Sequence, residues 1–129
     1  PNLELHYVTP DKPFEAAGIS IVPVRVMHGK LPILGYRIGN MAYLTDLKSL
    51  PDEEYAKLKN LDVLIIAALR KEYHPTHETV DEALANIRLI CPKEAYLIHM
   101  SHHIGLHAKV EKELPPHVHL SYDGLILED

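Results

Sequence analysis

The folding options of this chain are narrowed above all by an almost unbroken apolar run at residues 61–69 (LDVLIIAAL). Such a run is typical of a strand that is buried on both faces of a sheet. A second buried strand is predicted at residues 95–98, and residues 79–90 between the two place apolar side chains at helical spacing. The alternation of strands with a helix predicts an α/β protein in which helices cover a sheet.

Further strands are predicted in the first part of the chain. Residues 19–26 (ISIVPVRV) are β-branched and alternating, which is typical of a strand, and Pro23 indicates an edge or a bulge. Residues 33–38 and 41–45 flank a Gly-Asn pair that is typical of a hairpin turn. These strands add to the sheet formed by the two apolar runs.

The remaining segments carry weaker signals. Residues 3–8 predict an extended run, and Pro51 is predicted to begin a short helix with Ser49 as its cap. A helix is also predicted at residues 103–114, and a strand pair is predicted around residues 122–124. These elements fit the same α/β pattern.

The composition sets limits on function. The 129 residues have room for one domain, and the net charge of −5 argues against a duplex nucleic-acid binder, which would need a basic surface. Cys91 is the only cysteine, so an internal disulfide is excluded and a reducing compartment, the cytoplasm, is expected. No apolar run approaches the length of a membrane span. The 10 histidines are many for this length, and histidine is the commonest metal ligand.

Side chains with metal-ligand chemistry follow the ends of successive predicted strands, at His28, Asp46, His77 and His99. Histidine nitrogens and carboxylates suit zinc or manganese, and a carboxylate can also join two metal ions. Taken singly, a strand-end histidine is more often an ordinary exposed residue, and Asp46 could cap a turn. Their recurrence at successive strand ends indicates a shared site.

Several stretches carry a more specific resemblance. The sequence VMHGKLPILGYR from residue 26, followed by AYLTD from residue 42, resembles the middle motifs of metallo-β-lactamase-fold phosphodiesterases, above all the phosphoribosyl cyclic phosphodiesterase group. HETVDEA from residue 77 resembles the H-x-T-x-x-E-A motif of the related tRNA 3′-processing endonucleases. LIHMS from residue 97 is similar to their LTHFS segment.

This resemblance implies a fold and a set of roles. The fold is the αββα sandwich of the metallo-β-lactamase superfamily, and residues 1–129 would form its C-terminal half, one mixed sheet with covering helices. His28 and His99 would be terminal ligands, and Asp46 would bridge two divalent ions, zinc or manganese. His77 would be the catalytic proton donor to the leaving oxygen of the substrate.

One motif of the superfamily is missing from the sequence. The H-x-H-x-D-H cluster, which supplies further ligands, has no counterpart, since the only H-x-H is His117-Val118-His119 and no Asp-His follows it. We therefore expect that cluster in an N-terminal part of the domain, upstream of residue 1. The segment alone is expected to hold at most one metal ion weakly and to be inactive.

The resemblance predicts a metal-dependent hydrolase whose complete form cleaves a small phosphodiester, cyclic or nucleotide-like. Lys30 and His74 are candidate substrate-binding residues, and His74 also rivals His77 for its role. Three alternatives stay open: a tRNA 3′-processing endonuclease, a non-catalytic histidine-rich metal-binding module, and a half domain retained for assembly.

The expected partner follows from the sandwich. A half domain leaves one inner sheet face, expected to include Leu64, Ile66 and Ile98, without its partner sheet. Apolar patches above a few hundred Å² are rarely exposed on monomers. We expect this face to contact the missing N-terminal half or a second copy of the chain, and we expect neither a membrane nor nucleic acid as a partner.

Overall fold

One mixed sheet organises the part of the chain that the structure, a computed structural model, describes, which is residues 1–128. Its strands are β1 (Phe14–Ala16), β2 (Ile19–His28), β3 (Leu31–Ile38), β4 (Met41–Leu44), β5 (Val63–Ala67), β6 (Glu94–Ile98) and β7 (Val118–Leu120). The helices are α1 (Val80–Ile90) and α2 (His107–Glu113), with 3-10 helices at Asp52–Leu58 and His102–Ile104. The strands lie in the sheet in chain order. Neighbours from β1 to β4 are antiparallel, and those from β4 to β7 are parallel.

The predicted α/β architecture is confirmed. The apolar run became the central strand β5, and α1 makes the crossover to β6 that two parallel strands require. Thr79 caps α1 because its hydroxyl accepts the Glu82 backbone N–H at 3.2 Å, while the Glu82 carboxylate accepts the Thr79 N–H at 2.8 Å. This reciprocal capping fixes the start of α1 just after the segment that carries His77.

Pro23 lies on a free edge, as the sequence indicated. β1 pairs only with residues 19–21 of β2, so the rest of that side of β2 lacks a strand neighbour. Two residues on, the Arg25 N–H on this side donates to the Glu54 carboxylate at 2.9 Å. Because Pro23 has no N–H to donate, it costs the sheet no ladder hydrogen bond there.

The helices cover one face of the sheet. The fully buried side chains of this face come from successive strands: Val24, Val26, Ala42, Leu44, Leu64, Ile66, Ala95 and Leu97. They form one apolar core with Ala83 and Ile87 of α1 and Leu58 of the 3-10 helix. Each large aliphatic side chain buried in this way contributes about 1.5–3 kcal/mol.

The opposite face of the sheet is partly open. Its side chains near the β1 end line an apolar hollow of about 380 Å³: Phe14, Ile21, Tyr36, Ile38, Met41 and Tyr43. Tyr43 keeps 41% of its surface exposed. The prediction that Leu64, Ile66 and Ile98 share one face is wrong. Ile98 pairs with Ala67 in the β5–β6 register, and the side chain of Ala67 points away from those of Leu64 and Ile66 because strand residues alternate.

Two local predictions are wrong, namely the Ser49 cap and an unbroken helix at residues 103–114. A helix does follow Pro51, as a 3-10 helix without a side-chain cap, and residues 3–8 join no strand of the sheet. Ser49 instead pairs with β2, where its carbonyl accepts the Met27 N–H at 2.9 Å. The helix predicted at residues 103–114 is divided by Gly105, whose φ of 115° no helix allows.

The end of the chain differs from the prediction as well. β7 comprises only Val118–Leu120, and residues 122–124 form a turn with no strand after it up to residue 128. No helix within residues 1–128 is long and apolar enough to cross a membrane.

Candidate metal centre

The four predicted site residues lie at one edge of the sheet. His28 ends β2, Asp46 follows β4, His99 directly follows β6, and His77 lies between β5 and α1. β2 is antiparallel to β3, and β3 to β4, so β2 ends at the same edge as the parallel strands. Carboxyl ends of parallel strands are where α/β proteins place their ligands.

Asp46, His77 and His99 each offer a ligand atom within 4.8 Å of the other two. Within this group, His99 Nε2 lies 3.3 Å from Asp46 Oδ1. The ring centre of His77 lies 4.9 Å from that of His99, 4.8 Å from that of His28 and 5.0 Å from that of His74. His77 therefore stands at the middle of a group of imidazoles that has a single carboxylate.

His28 is oriented by the backbone of Asp46. Its Nδ1 lies 2.7 Å from the Asp46 carbonyl oxygen, which can only accept, so Nδ1 carries the proton and donates. Nε2 then presents a lone pair. Metal-binding histidines usually donate their other ring N–H to a carbonyl or carboxylate in this way.

His74 has the opposite tautomer in its neutral form. The Thr76 backbone N–H donates to His74 Nδ1 at 3.2 Å, so Nδ1 is the acceptor and the ring proton is on Nε2. His28 thus offers a lone pair from Nε2, whereas His74 offers an N–H. His28 can therefore bind a metal ion through Nε2, whereas His74 can donate a hydrogen bond from Nε2.

His77 is held neutral. Burial lowers the pKa of His77, and the neighbouring His99, His28 and His74 lower that pKa further, against the weaker opposing effect of Asp46. Its Nδ1 is buried without a hydrogen-bond partner among the described residues. An unpaired buried polar atom is costly, and such atoms are concentrated at functional sites.

The backbone at two of these residues is unusual. Asp46 has a φ of 56° and His99 a φ of 60°, both in the left-handed region that residues with a Cβ rarely adopt. Gly29, with a φ of 60°, lets the β2–β3 turn approach the His77 loop, since an added Cβ would lie 3.1 Å from Thr76 Cγ2. Conformations of this kind persist where the surrounding structure enforces them, often at functional sites.

The donor set fits a divalent metal ion. It combines neutral imidazoles with a carboxylate, the ligands preferred by zinc and accepted by manganese. The lone pair of His28 Nε2 and the unpartnered Nδ1 of His77 are available donors. The division of the four residues into ligands and proton donor stays a prediction.

Two other predicted residues lie around this group. His74 is 5.0 Å from His77, as described above. Lys30 is exposed and lines a groove of about 610 Å³ together with Arg25, Met27 and Leu34. None of the contacts described for residues 1–128 joins Lys30 to the histidines.

Sequence reasoning missed Glu78. This side chain is only 1% exposed, and its burial, with the nearby charge of Glu82, raises the pKa of Glu78 to about 8. An acid just before a helix normally lies in solvent, so the type of residue gave no warning. A signal existed in Asn86, a polar residue on the apolar stripe between Ala83 and Ile90, because a buried amide needs a buried partner.

A second group of histidines and carboxylates lies at the β7 edge. His119 Nε2 contacts Glu94 at 2.9 Å, and its Nδ1 contacts Glu111 at 3.1 Å. His117 contacts the other oxygen of Glu94 at 3.1 Å. These contacts raise the pKa of His119 above its usual value, with the Glu94 hydrogen bond as the largest cause.

Known proteins similar to this chain share the fold and part of the sequence. An octanoyltransferase from Porphyromonas gingivalis (strain ATCC BAA-308 / W83) is 48% identical over 126 residues, which are 97% of this chain and 26% of that protein. The crystal structure of a new diphosphatase from the PhnP family is 39% identical with a TM-score of 0.90, covering 95% of this chain and 47% of that one.

More distant structures are alike in fold alone. The metallo-beta-lactamase fold protein YhfI from Bacillus subtilis is 22% identical with a TM-score of 0.75, covering 92% of this chain and 53% of that one. The short form of human tRNase Z is 17% identical with a TM-score of 0.67, covering 89% and 45%. The chain therefore spans about half of these solved structures and a smaller part of the curated relative.

A sequence profile of the beta-lactamase superfamily domain matches residues 1–100, which is most of the chain. The mixed sheet with helices on one face is part of the metallo-β-lactamase fold. By this sequence match and this architecture, the chain belongs to the family of beta-lactamase superfamily domains.

Proposed function

We propose that this chain forms part of the metal site of a hydrolase that cleaves a small phosphodiester, cyclic or nucleotide-like. The observation that carries the proposal is the convergence of Asp46, His77 and His99 within 4.8 Å at the edge of the sheet. The 39% identity to a diphosphatase of the PhnP family supports a phosphorylated substrate. A cytoplasmic location is proposed with it, because Cys91 is a free thiol.

In this proposal His28, Asp46 and His99 would hold the divalent ions, zinc or manganese. An N-terminal part of the same domain supplies the remaining ligands. Bound divalent ions contribute Lewis-acid stabilisation of phosphoryl charge and lower the pKa of water. The Asp46 backbone supports this arrangement by orienting His28 through its carbonyl oxygen, 2.7 Å from Nδ1.

His77 is proposed as the general acid. In the free protein its surroundings lower its pKa, so it is neutral. A phosphate anion bound beside the ring favours the protonated form, since an opposite charge raises the pKa of an imidazole. The proton for the leaving oxygen is then acquired when the substrate binds, and general acids of this kind contribute roughly 10²–10⁴-fold to rate.

His74 and Lys30 are proposed to bind the substrate. The Nε2–H of His74 is fixed as a donor by the Thr76 backbone, and its ring lies 5.0 Å from that of His77. This donor can hydrogen-bond a phosphoryl oxygen. The exposed ammonium of Lys30 adds positive charge near the β2–β3 turn, which suits an anionic substrate.

The open sheet face is proposed to contact the N-terminal part of the domain. The hollow lined by Phe14, Tyr36 and Tyr43 is apolar, and it lies opposite the face that the helices cover. A soluble chain seldom leaves such a surface open. A second copy of the chain is the alternative occupant when the N-terminal part is absent.

The second candidate function is a non-catalytic metal-binding module. It is favoured by the three converging residues, which can hold a metal ion without completing a dinuclear site. tRNA 3′-end processing is the third candidate, although the net charge of −5 gives RNA little to bind.

Metal content measured together with turnover separates these candidates. In the complete protein we expect bound zinc or manganese and hydrolysis of bis(4-nitrophenyl) phosphate. Metal without turnover would support the binding module, and neither would support an assembly role. For the isolated chain we expect at most one weakly held ion, no turnover, and self-association in sedimentation. A monomer with two tightly bound ions would contradict the proposed domain completion.

A further inference from the structure

The loops that carry the candidate ligands are joined by a relay of backbone hydrogen bonds through Glu78. The Glu78 N–H donates to the carbonyl of Leu47, the residue after Asp46, at 2.9 Å. The Glu78 carbonyl accepts the Leu69 N–H at 2.9 Å, and the Leu69 carbonyl accepts the Ser101 N–H at 2.8 Å. Ser101 follows His99 by two residues. One series of backbone hydrogen bonds therefore links the Asp46, His77 and His99 loops.

The Glu78 side chain extends from this relay into the protein interior. Its Oε1 accepts a hydrogen bond from the Asn86 amide, and the Asn86 carbonyl oxygen accepts one from the Tyr55 hydroxyl. Glu78 is 1% exposed and Asn86 8% exposed, so both belong to the core under α1. The network thereby connects the relay to α1 and to the 3-10 helix Asp52–Leu58.

A buried acid in this position is costly, and the cost is greater here because Glu78 Oε2 is buried without a hydrogen-bond partner among residues 1–128. A leucine would fill similar space among apolar side chains without that cost. This loss of stability is explained if the hydrogen bond of the carboxyl group holds the Glu78 backbone in a fixed position. That lock matters here because the left-handed conformations of Asp46 and His99 depend on their surroundings.

We propose that Glu78 is a positioning residue, which through Asn86 and Tyr55 holds the Asp46, His77 and His99 loops in the geometry that binds metal. This inference rests on the metal site proposed above. It assigns Glu78 no contact with metal or substrate. Its effect is expected on metal affinity and coordination geometry, as is usual for groups that orient ligands.

The test is a Co²⁺ titration of the complete protein that contains this chain, followed by absorption spectroscopy. Glu78→Leu is expected to weaken Co²⁺ binding by roughly 10–100-fold and to alter the visible spectrum. Glu78→Gln keeps the oxygen that accepts from Asn86 and is expected to restore affinity to within about threefold. Tyr55→Phe, at the far end of the network, is the mild variant, with a loss of about 3–10-fold.

Ile90→Ala is the matched control, because it removes buried apolar volume from the same helix without touching the network. It is expected to lower Tm while leaving Co²⁺ affinity and spectrum unchanged. If it weakens binding as much as Glu78→Leu does, Glu78 acts only through stability and the inference is overturned. Unchanged Co²⁺ binding in Glu78→Leu also overturns the inference. If Glu78→Leu does not fold, unchanged Co²⁺ binding in Tyr55→Phe overturns it.

Amide hydrogen exchange gives a readout that does not need metal. Exchange at the Glu78, Leu69 and Ser101 amides is expected to accelerate in Tyr55→Phe and Glu78→Leu relative to amides of β2 and β3. If the complete wild-type protein binds no Co²⁺, the proposed metal site fails, while exchange still decides whether Glu78 holds the relay. If the complete protein binds Co²⁺ and neither relay exchange nor affinity responds to the substitutions, only the positioning inference fails.

Discussion

Two clusters of histidines and carboxylates in this molecule use the same residue types in opposite ways. At the β7 edge, both nitrogens of His119 contact carboxylate oxygens, at 2.9 Å from Glu94 and 3.1 Å from Glu111. At the candidate metal centre, Asp46 is the one carboxylate of the converging group, and several imidazoles surround it. Each histidine of the β7 cluster therefore contacts a carboxylate, whereas the metal centre has one carboxylate for several histidines.

This difference shows that the number of carboxylates and imidazoles around a histidine determines the direction of its pKa shift. Carboxylates can only accept, so the two that contact His119 favour its imidazolium form, and the pKa of His119 is raised. His77, partly buried among other imidazoles, has its pKa lowered and keeps a lone pair. A metal ion needs lone pairs, and the proposed ligand His28 presents one from Nε2, so the centre at Asp46 is the better candidate although both clusters contain suitable residue types.

The largest expected difference between the clusters is in catalysis. In the complete protein, His77→Ala is expected to lower kcat by roughly 10²–10⁴-fold with metal content unchanged, because a general acid is removed. The matched variant His119→Ala is expected to leave kcat unchanged. Steady-state kinetics with metal analysis of each variant provides the check, and metal lost in parallel with activity would mean that His77 is a ligand.

A smaller but still large difference is expected in metal binding. Asp46→Asn removes the charge of the single carboxylate in the converging group, and we expect Zn²⁺ affinity to fall by at least about 100-fold. Glu94→Gln makes the same chemical change in the β7 cluster and is expected to alter affinity by less than about twofold. Competition with a chromophoric chelator measures both, and equal losses would show that the β7 cluster also holds the ion.

The smallest expected difference is in the pH dependence of stability, and it has opposite signs. The pKa of folded His119 lies above 6.5, so its stabilisation is full below pH 6.5 and is lost as the pH rises through the folded pKa. The pKa of folded His77 lies below 6.5, so the protein loses stability as the pH falls from 6.5 toward that folded pKa.

Urea unfolding of His119→Gln and His77→Gln beside the wild type, with a chelator present, measures these effects from about pH 5 to about pH 8.5. The His119 variant should lose most relative stability at acidic pH, whereas the His77 variant should gain there. The His119 contribution should stay below about 1 kcal/mol, because its side chain is 39% exposed. Difference curves of the same slope would refute the contrast between the clusters.

The sequence predicted the parts of the fold that local pattern controls. The apolar runs predicted β5 and β6, and the helical spacing of residues 79–90 predicted α1. The division of the predicted helix 103–114 escaped prediction because it depends on the backbone at Gly105. The open face was misassigned because register, which places Ile98 beside Ala67, depends on strand pairing across the sheet.

By itself the sequence determined which residues could form a site, because strand ends can be recognised from local periodicity and each candidate lies at or after one. Only the tertiary structure decided their chemical states. The His28 tautomer depends on a carbonyl 18 residues away, and the burial of Glu78 depends on Asn86 and, through it, on Tyr55 of another helix. Protonation and burial are set by neighbours in space, so they became defined only when the sheet brought distant loops together.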